Sequence, residues 1–370
     1  MSGTRSRMGR AFACGVVIGA CQRPTPRTAG SAAVVGDLAL VERAAAARAG
    51  TGPGEARALA AQVVARGDTM DASLRWYIAA GRVTEALRFA TAMSPFWRSE
   101  GRIDDGRRLL AAALALPDSA PQRGARAHAW YEAGILAFRQ HDQDASRSAD
   151  EQSLQLATQL ADTEAIAHAL VGLSRVELRA GAYDSVRAYA GRASALLRQA
   201  GDTSGAIGPS HMVAAVDRMT GHDSAAASLY ERTLARYRAA HDEPGVAGEV
   251  MNLAYVRLHQ GRRAEARSLL RDALNRFAAL HDETSQEFVL AGFAAVAADA
   301  GDGADAAKLY GAARKLLTAA GVTLDPDDQY EFDRYSAKAR QRLGEAAYAR
   351  AVADGEALGL ADAERLARRL

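Results

Sequence analysis

Cysteine is nearly absent from this chain of 370 residues: Cys14 and Cys21 are the only two, and both lie in its first 21 positions. A disulfide framework is excluded from the body of the chain, and as a metal pair the two lack partner ligands. Lysine is almost as scarce, at 308, 315 and 338 alone, and no GxxxxGK[ST] run occurs. A phosphate-cradling loop is thereby excluded. There is no G-x-S-x-G elbow and no Cys-His pair, so nucleophilic catalysis has no candidate residue, and an enzyme is not expected. Charge of one sign is lacking too: the formal net charge is +2, and the cations are mostly arginine without a basic stripe. That balance, with no helix-turn-helix module, gives no reason to expect direct nucleic-acid binding. No cofactor and no metal is called for.

What the chain does have is a period. Stepping by 40 residues gives Gly101, His141, Gly181, Gly221, Gly261 and Gly301, and a second column reads Asp162, Asp202, Asp242 and Asp282. A repeat of this length is the signature of a solenoid. Glycine adopts a left-handed backbone without steric cost and so closes a helix, whereas aspartate is a preferred N-cap. One column stops a helix and the other starts the next. Between them apolar residues recur at helical spacing, as in Leu253, Val256 and Leu258 and then Leu269, Leu270, Ala273, Leu274 and Phe277. Small residues mark the close approaches: Gly134, Ser174, Ala214, Ala254 and Ala294 on first helices, Ala226, Ala266 and Ala306 on second ones.

The small-to-small arrangement resembles the tetratricopeptide repeat. Ala129-Trp130-Tyr131-Glu132-Ala133-Gly134 with Gln140-His141-Asp142, and Asn252-Leu253-Ala254 with Gln260-Gly261, carry the likeness. The resemblance implies an all-α fold, a tetratricopeptide-like α-α superhelix of about 40-residue helical hairpins. Five hairpins are expected over 121–320, with N-terminal helices and a degenerate first repeat over 37–120 and capping helices over 321–370. Residues 22–36, rich in Pro, Thr, Gly and Ala, read as a linker.

The first 21 residues differ from the rest. Arg5, Arg7 and Arg10 precede an uncharged run, Ala11 to Cys21, too short to span a bilayer but suited to the apolar part of a secretory signal. Its end, Val17-Ile18-Gly19-Ala20-Cys21, resembles a bacterial lipobox, which implies lipidation at Cys21, a membrane tether and a place in the cell envelope. The other reading is an arbitrary stub, or a start inside a longer gene, and then a cytoplasmic protein.

A second resemblance covers about residues 71–370. Leu74-Arg75-Trp76, Phe96-Trp97-Arg98, Gly101-Arg102 and Gly106-Arg107-Arg108-Leu109-Leu110 resemble the opening of the helical repeat region in maltose-regulator-like signalling ATPases. Tyr330-Glu331-Phe332, Leu343 to Tyr348 and Gly355 to Leu358 resemble the segment that closes it. Pro95 should kink its helix unless Ser94 restarts it as a cap. The ATPase and DNA-binding modules of those relatives have no counterpart in these residues, and their activities do not carry over.

Function then rests on the concave face, lined by the first helix of each pair. One face read across the units gives Arg175, Arg179, His211, Asn252, Tyr255, Arg257 and His259, with Trp130 and Tyr131 toward the N-terminal end. Arginine, histidine and aromatics on such a face suit an extended peptide or a partner helix. The pairs His141-Asp142, His222-Asp223, His241-Asp242 and His281-Asp282 fall in turns, so they are expected to shape turns and caps rather than hold a metal. The leading expectation is a non-enzymatic scaffold with a protein or peptide partner. The alternatives are a detached sensor half of a signalling ATPase or regulator, acting with a separate effector protein, and a small-ligand sensor.

Overall fold

The computed structural model describes residues 31–50, 53–320 and 324–370. Cys21 and the lipobox-like run lie outside the described residues. Those described form eighteen α-helices, one 3-10 turn and no strand. The core series pairs α4 (Val83–Ser99) with α5 (Ile103–Leu114), α6 (Arg123–Arg139) with α7 (Gln143–Gln159), and α8 (Thr163–Ala180) with α9 (Tyr183–Gln199). It continues through α10 (Ile207–Met219) with α11 (Asp223–Ala239), α12 (Glu243–His259) with α13 (Arg263–Ala279), and α14 (Glu283–Ala300) with α15 (Gly303–Ala319). Before it lie α1 (Ser31–Gly50), α2 (Pro53–Ala65) and α3 (Gly67–Ala79); after it come α16 (Pro326–Leu343), α17 (Glu345–Glu356) and α18 (Leu360–Arg369).

The turns show that the true period is half of 40. Positive φ recurs at 81, 101, 141, 161, 181, 201, 221, 241, 261, 281 and 301, at both corners of each hairpin. Glycine occupies most of these positions; His141, His241, His281 and Ala161 occupy the rest, with φ between 52 and 60°. At each corner the next residue donates its N–H back five positions, as Asp242 does to the Tyr237 carbonyl at 3.0 Å and Asp282 to Phe277 at 3.0 Å. This is the Schellman closure, and the same aspartates then cap the following helix. Asp162, Asp242 and Asp282 accept from the N–H three residues on at 3.0 Å. Asp142 and Asp302 do the same for second helices. Asp202 caps only a turn, at Gly205, because α10 begins later, at Ile207.

Several boundaries differ from the sequence reading. Helix α1 (Ser31–Gly50) takes in residues 31–36 of the stretch expected as linker. Pro95 sits inside an unbroken α4. Neither a restart nor a break is present, because Phe96 and Trp97 beyond it are buried and hold the last turn in place. Trp97 donates Nε1 to Asp71 at 3.0 Å, and its ring lies where a side chain on Gly106 would be, 2.8 Å from an ideal Cβ.

The first helices form the inner wall. Consecutive ones touch (α4 with α6, α6 with α8, α8 with α10, α12 with α14), whereas second helices make no comparable contact with each other. The small-residue columns are the reason: Ser174, Ala214, Ala254 and Ala294 on first helices are at most 1 % exposed, and Ala226, Ala266 and Ala306 on second helices are fully buried. One inward column is chemically mixed. Leu110, Asp150, Ala190, Tyr230, Leu270 and Tyr310 share a register, and all are buried. Asp150 lies in a notch between Gly134 and Gly172, and neither of its carboxylate oxygens has a hydrogen-bond partner. Burial raises its pKa to about 8, against the opposing pull of Arg175.

Two outcomes follow. Gly261→Ala should lose ~1–2 kcal/mol, since φ is +73° there, whereas Gly248→Ala, inside α12 with open space around it, should gain ~0.5–1 kcal/mol; urea melts of both variants check the opposite signs. An acid with a raised folded-state pKa keeps a proton that the unfolded chain has released, so Asp150 lowers stability progressively from about pH 4 to about 8. Asp150→Leu, the residue at 110 and 270, should therefore stabilise by ~1–3 kcal/mol at pH 8.5 and by less at pH 5.

Candidate functional site

The inner wall divides into two halves. In the N-terminal half an open trough of about 770 Å³ runs across α1, α4, α6 and α8, lined by Glu42, Arg88, Pro95, Arg98, His128, Tyr131, Glu132, Ile135 and His168. Its charges are fixed in pairs along the walls: Arg98 with Glu132 at 2.7 Å and Arg88 with Glu42 at 2.7 Å. Its floor is aromatic, with Tyr131 stacked on His168 at 5.2 Å between centroids and 14° between planes. Burial raises the Tyr131 pKa and lowers that of His168, so both are uncharged at neutral pH. Arg175 lies 5.6 Å from the Tyr131 centroid and 5.9 Å from that of Phe138, which extends this surface along α8. Trp130, expected beside Tyr131, points the other way and lines a cavity of about 350 Å³ among α5, α6 and α7.

In the C-terminal half the face is already covered. Helix α16 lies along the C-terminal ends of the first helices; Arg179, His259 and Asp299 of that edge share one 40-residue register, and Arg218 stands one residue ahead of it. Asp325, just before it, reaches Arg179 of α8 at 3.7 Å. Asp327 and Glu331 take the two terminal nitrogens of Arg218 of α10, at 2.9 and 2.8 Å. Glu331 also bonds His259 Nε2 of α12 at 3.0 Å, Tyr335 packs near the same imidazole, and Lys338 meets Asp299 of α14 at 3.1 Å. An 18-residue helix is ~27 Å long, which matches three hairpin steps of ~9 Å.

The expected groove residues are thus distributed as follows. His211, Tyr255 and His259 gather around Arg218, which sits 5.3 Å from the Tyr255 ring and has no exposed surface. His259 is held on its other side by Asp223 at 3.1 Å. Burial opposes a charge on His211, but Glu249, 3.1 Å away, outweighs it and lifts the pKa to about 8. Asn252 is buried and donates to the Gly248 carbonyl of its own helix at 3.0 Å. Arg257 is not with the others: it turns to the second helices, pairing with Glu231 of α11 at 2.5 Å and Glu265 of α13 at 3.8 Å. Arg179 stacks 3.8 Å from the Phe138 ring and bonds His141 Nδ1 at 3.0 Å. His141, His241 and His281 are turn residues, and no group of three or more His, Cys, Asp or Glu among the described residues could hold a metal.

Sequence reasoning missed Arg218, Asp327 and Glu331, the residues that close the C-terminal half. An arginine in the register of an apolar column was the available signal: one and two units on stand Leu258 and Ala298. It also missed Arg88 and Arg98, because the trough begins before the regular repeats do, and it missed His128 of α6.

The architecture defines the class: a tetratricopeptide-like α-α repeat superhelix. No protein-family model matches the sequence, and no curated protein matches it. Solved structures do. Aspartyl phosphate phosphatase F from Bacillus subtilis is similar with a TM-score of 0.58 at 10% identity, over 91% of this chain and 97% of that one. A Rap protein complexed with competence and sporulation factor gives 0.56 at 14% identity, over 90% and 89%. A signal transduction ATPase with numerous domains and a tetratricopeptide repeat sensor, from Pyrococcus horikoshii, gives 0.54 at 14% identity, with 90% of this chain covering 52% of that one. At these identities the likeness is one of fold. Among the described residues no helix is long and apolar enough to cross a membrane.

Arg218→Ala should cost about 3–5 kcal/mol, because it leaves two buried carboxylates without their cation. Chemical denaturation followed by circular dichroism measures it, and a loss below ~1 kcal/mol would contradict the geometry. For His211 the folded pKa lies above the unfolded value, so its stabilisation is complete below about pH 6.5 and is lost as pH rises through about 8. His211→Gln should flatten that part of the curve of melting temperature against pH.

Proposed function

We propose that this chain is a non-enzymatic protein-interaction scaffold whose open N-terminal trough receives a segment of a partner protein. The observation that carries this reading is the contrast between the two halves of one wall. Where α16 covers it, the wall is closed by chain contacts; across α4, α6 and α8 the equivalent face is uncovered and presents stacked Tyr131 and His168 between paired charges. A neutral aromatic floor with polar walls suits a segment that buries one or two apolar side chains and hydrogen-bonds along the sides. The fold-level likeness to a Rap protein complexed with a factor supports the same use.

A second reading, a sensory repeat half acting with a separate effector protein, is favoured by the likeness to the repeat-bearing signalling ATPase. Both readings place the partner in the same trough. A lipid tether at Cys21 would add membrane attachment to either, and intact mass of the native N-terminus decides it.

A photo-reactive phenylalanine analogue in place of Tyr131 should cross-link a partner in cells, and one in place of Arg192, exposed on the second-helix side, should not. Equal adducts at both positions, or none at Tyr131 alone, would count against the trough.

A further inference from the structure

We propose that the strip along the C-terminal ends of α8, α10, α12 and α14 is a seat for a polarised amphipathic helix, that α16 fills it in cis, and that a partner helix of the same polarity takes its place. This concerns a different surface from the open trough and does not rest on it.

The charge order is the first argument. Along the strip the wall presents Arg179, Arg218 and His259, then Asp299; along the segment that answers them come Asp325, Asp327 and Glu331, then Lys338. Acidic at its start and basic toward its end, α16 fits the strip in one direction and one register. The second argument is the chemistry of the seat. A cap built only for stability would be apolar, since replacing a buried ion pair with packed hydrocarbon is often neutral or stabilising. Here the centre is Arg218, without exposed surface, between two buried carboxylates. Such a seat discriminates strongly by charge and geometry while adding little net stability.

The third argument is that α16 does not use all of it. Arg218 Nε is buried at the seat without a hydrogen-bond partner. A buried donor left unmet is costly, so an incoming helix that satisfies it gains over α16. The recognisable occupant is a helix with carboxylates at i and i+4, an aromatic at i+8 and a cation at about i+11, the spacing of Asp327, Glu331, Tyr335 and Lys338.

The test uses the full chain and a fluorescent peptide of residues 326–343 as the probe. In Asp327→Asn/Glu331→Gln the cis helix is weakened, so the peptide should bind that variant at least about tenfold more tightly than the wild type, following the larger fraction of open seat. A peptide with Lys at 327 and 331 should not bind. No uptake by a variant that keeps wild-type helicity would overturn the proposal. A variant dimer that excludes the peptide would assign the seat to exchange between two copies and would overturn the partner-helix reading. Should the variant unfold, hydrogen exchange on the wild type decides. The proposal requires α16 to exchange faster than α12 and α14 and faster still with peptide present; equal protection and no response to peptide would reduce α16 to a structural cap.

Discussion

The left-handed residue at every twentieth position governs this molecule. It ends one helix by the Schellman closure and delivers the next residue, often aspartate, directly into the N-cap of the following helix. Helices of seventeen or eighteen residues recur because the corners fix the length; α4, α6, α7, α9, α11, α12, α13 and α15 have seventeen, and α8 and α14 have eighteen. With helix length and corner geometry fixed, the small residues fall at the same height in each unit and the stack closes on itself only through its neighbours. Among the described residues from 81 to 301 the series lapses once, around position 121, where Pro117 precedes a 3-10 turn that contains Pro121, and Arg126 binds the carbonyls of Leu114, Leu116 and Pro117 instead.

A regular stack leaves one face exposed along its whole length, and the chain treats the two halves of that face differently. The N-terminal half stays open over a neutral aromatic pair. The C-terminal half is covered by a helix whose acids meet the cations at the ends of α8, α10 and α12. The two buried carboxylates on Arg218 concentrate the specificity of that contact in one side chain.

Much of the fold was legible because its causes are local. Glycines and aspartates at fixed offsets state where helices stop and start, and Ala254 or Ala266 state which faces approach. Boundaries outside the repeats were harder. Nothing in Ser31 to Gly36 signals a helix start, and Pro95 signals a break that the burial of Phe96 and Trp97 overrides. The site was legible only in part. Periodicity put His211, Tyr255 and His259 on one face, but it carries no information about a helix seventy residues downstream returning to cover them. Arg257 was misplaced for a simpler reason: two residues along a helix is a rotation of about 200°, so it cannot share a face with Tyr255.

The position of α16 also has a mechanical consequence. A curved stack of hairpins behaves as a spring, because small rotations at each interface add along its length. A rod fastened at α8, α10, α12 and α14 along one edge removes that freedom from the units it spans. Bending is therefore concentrated in the units before α8, and the open trough spans the boundary, with its α8 wall on the braced side and its α1, α4 and α6 walls on the compliant one.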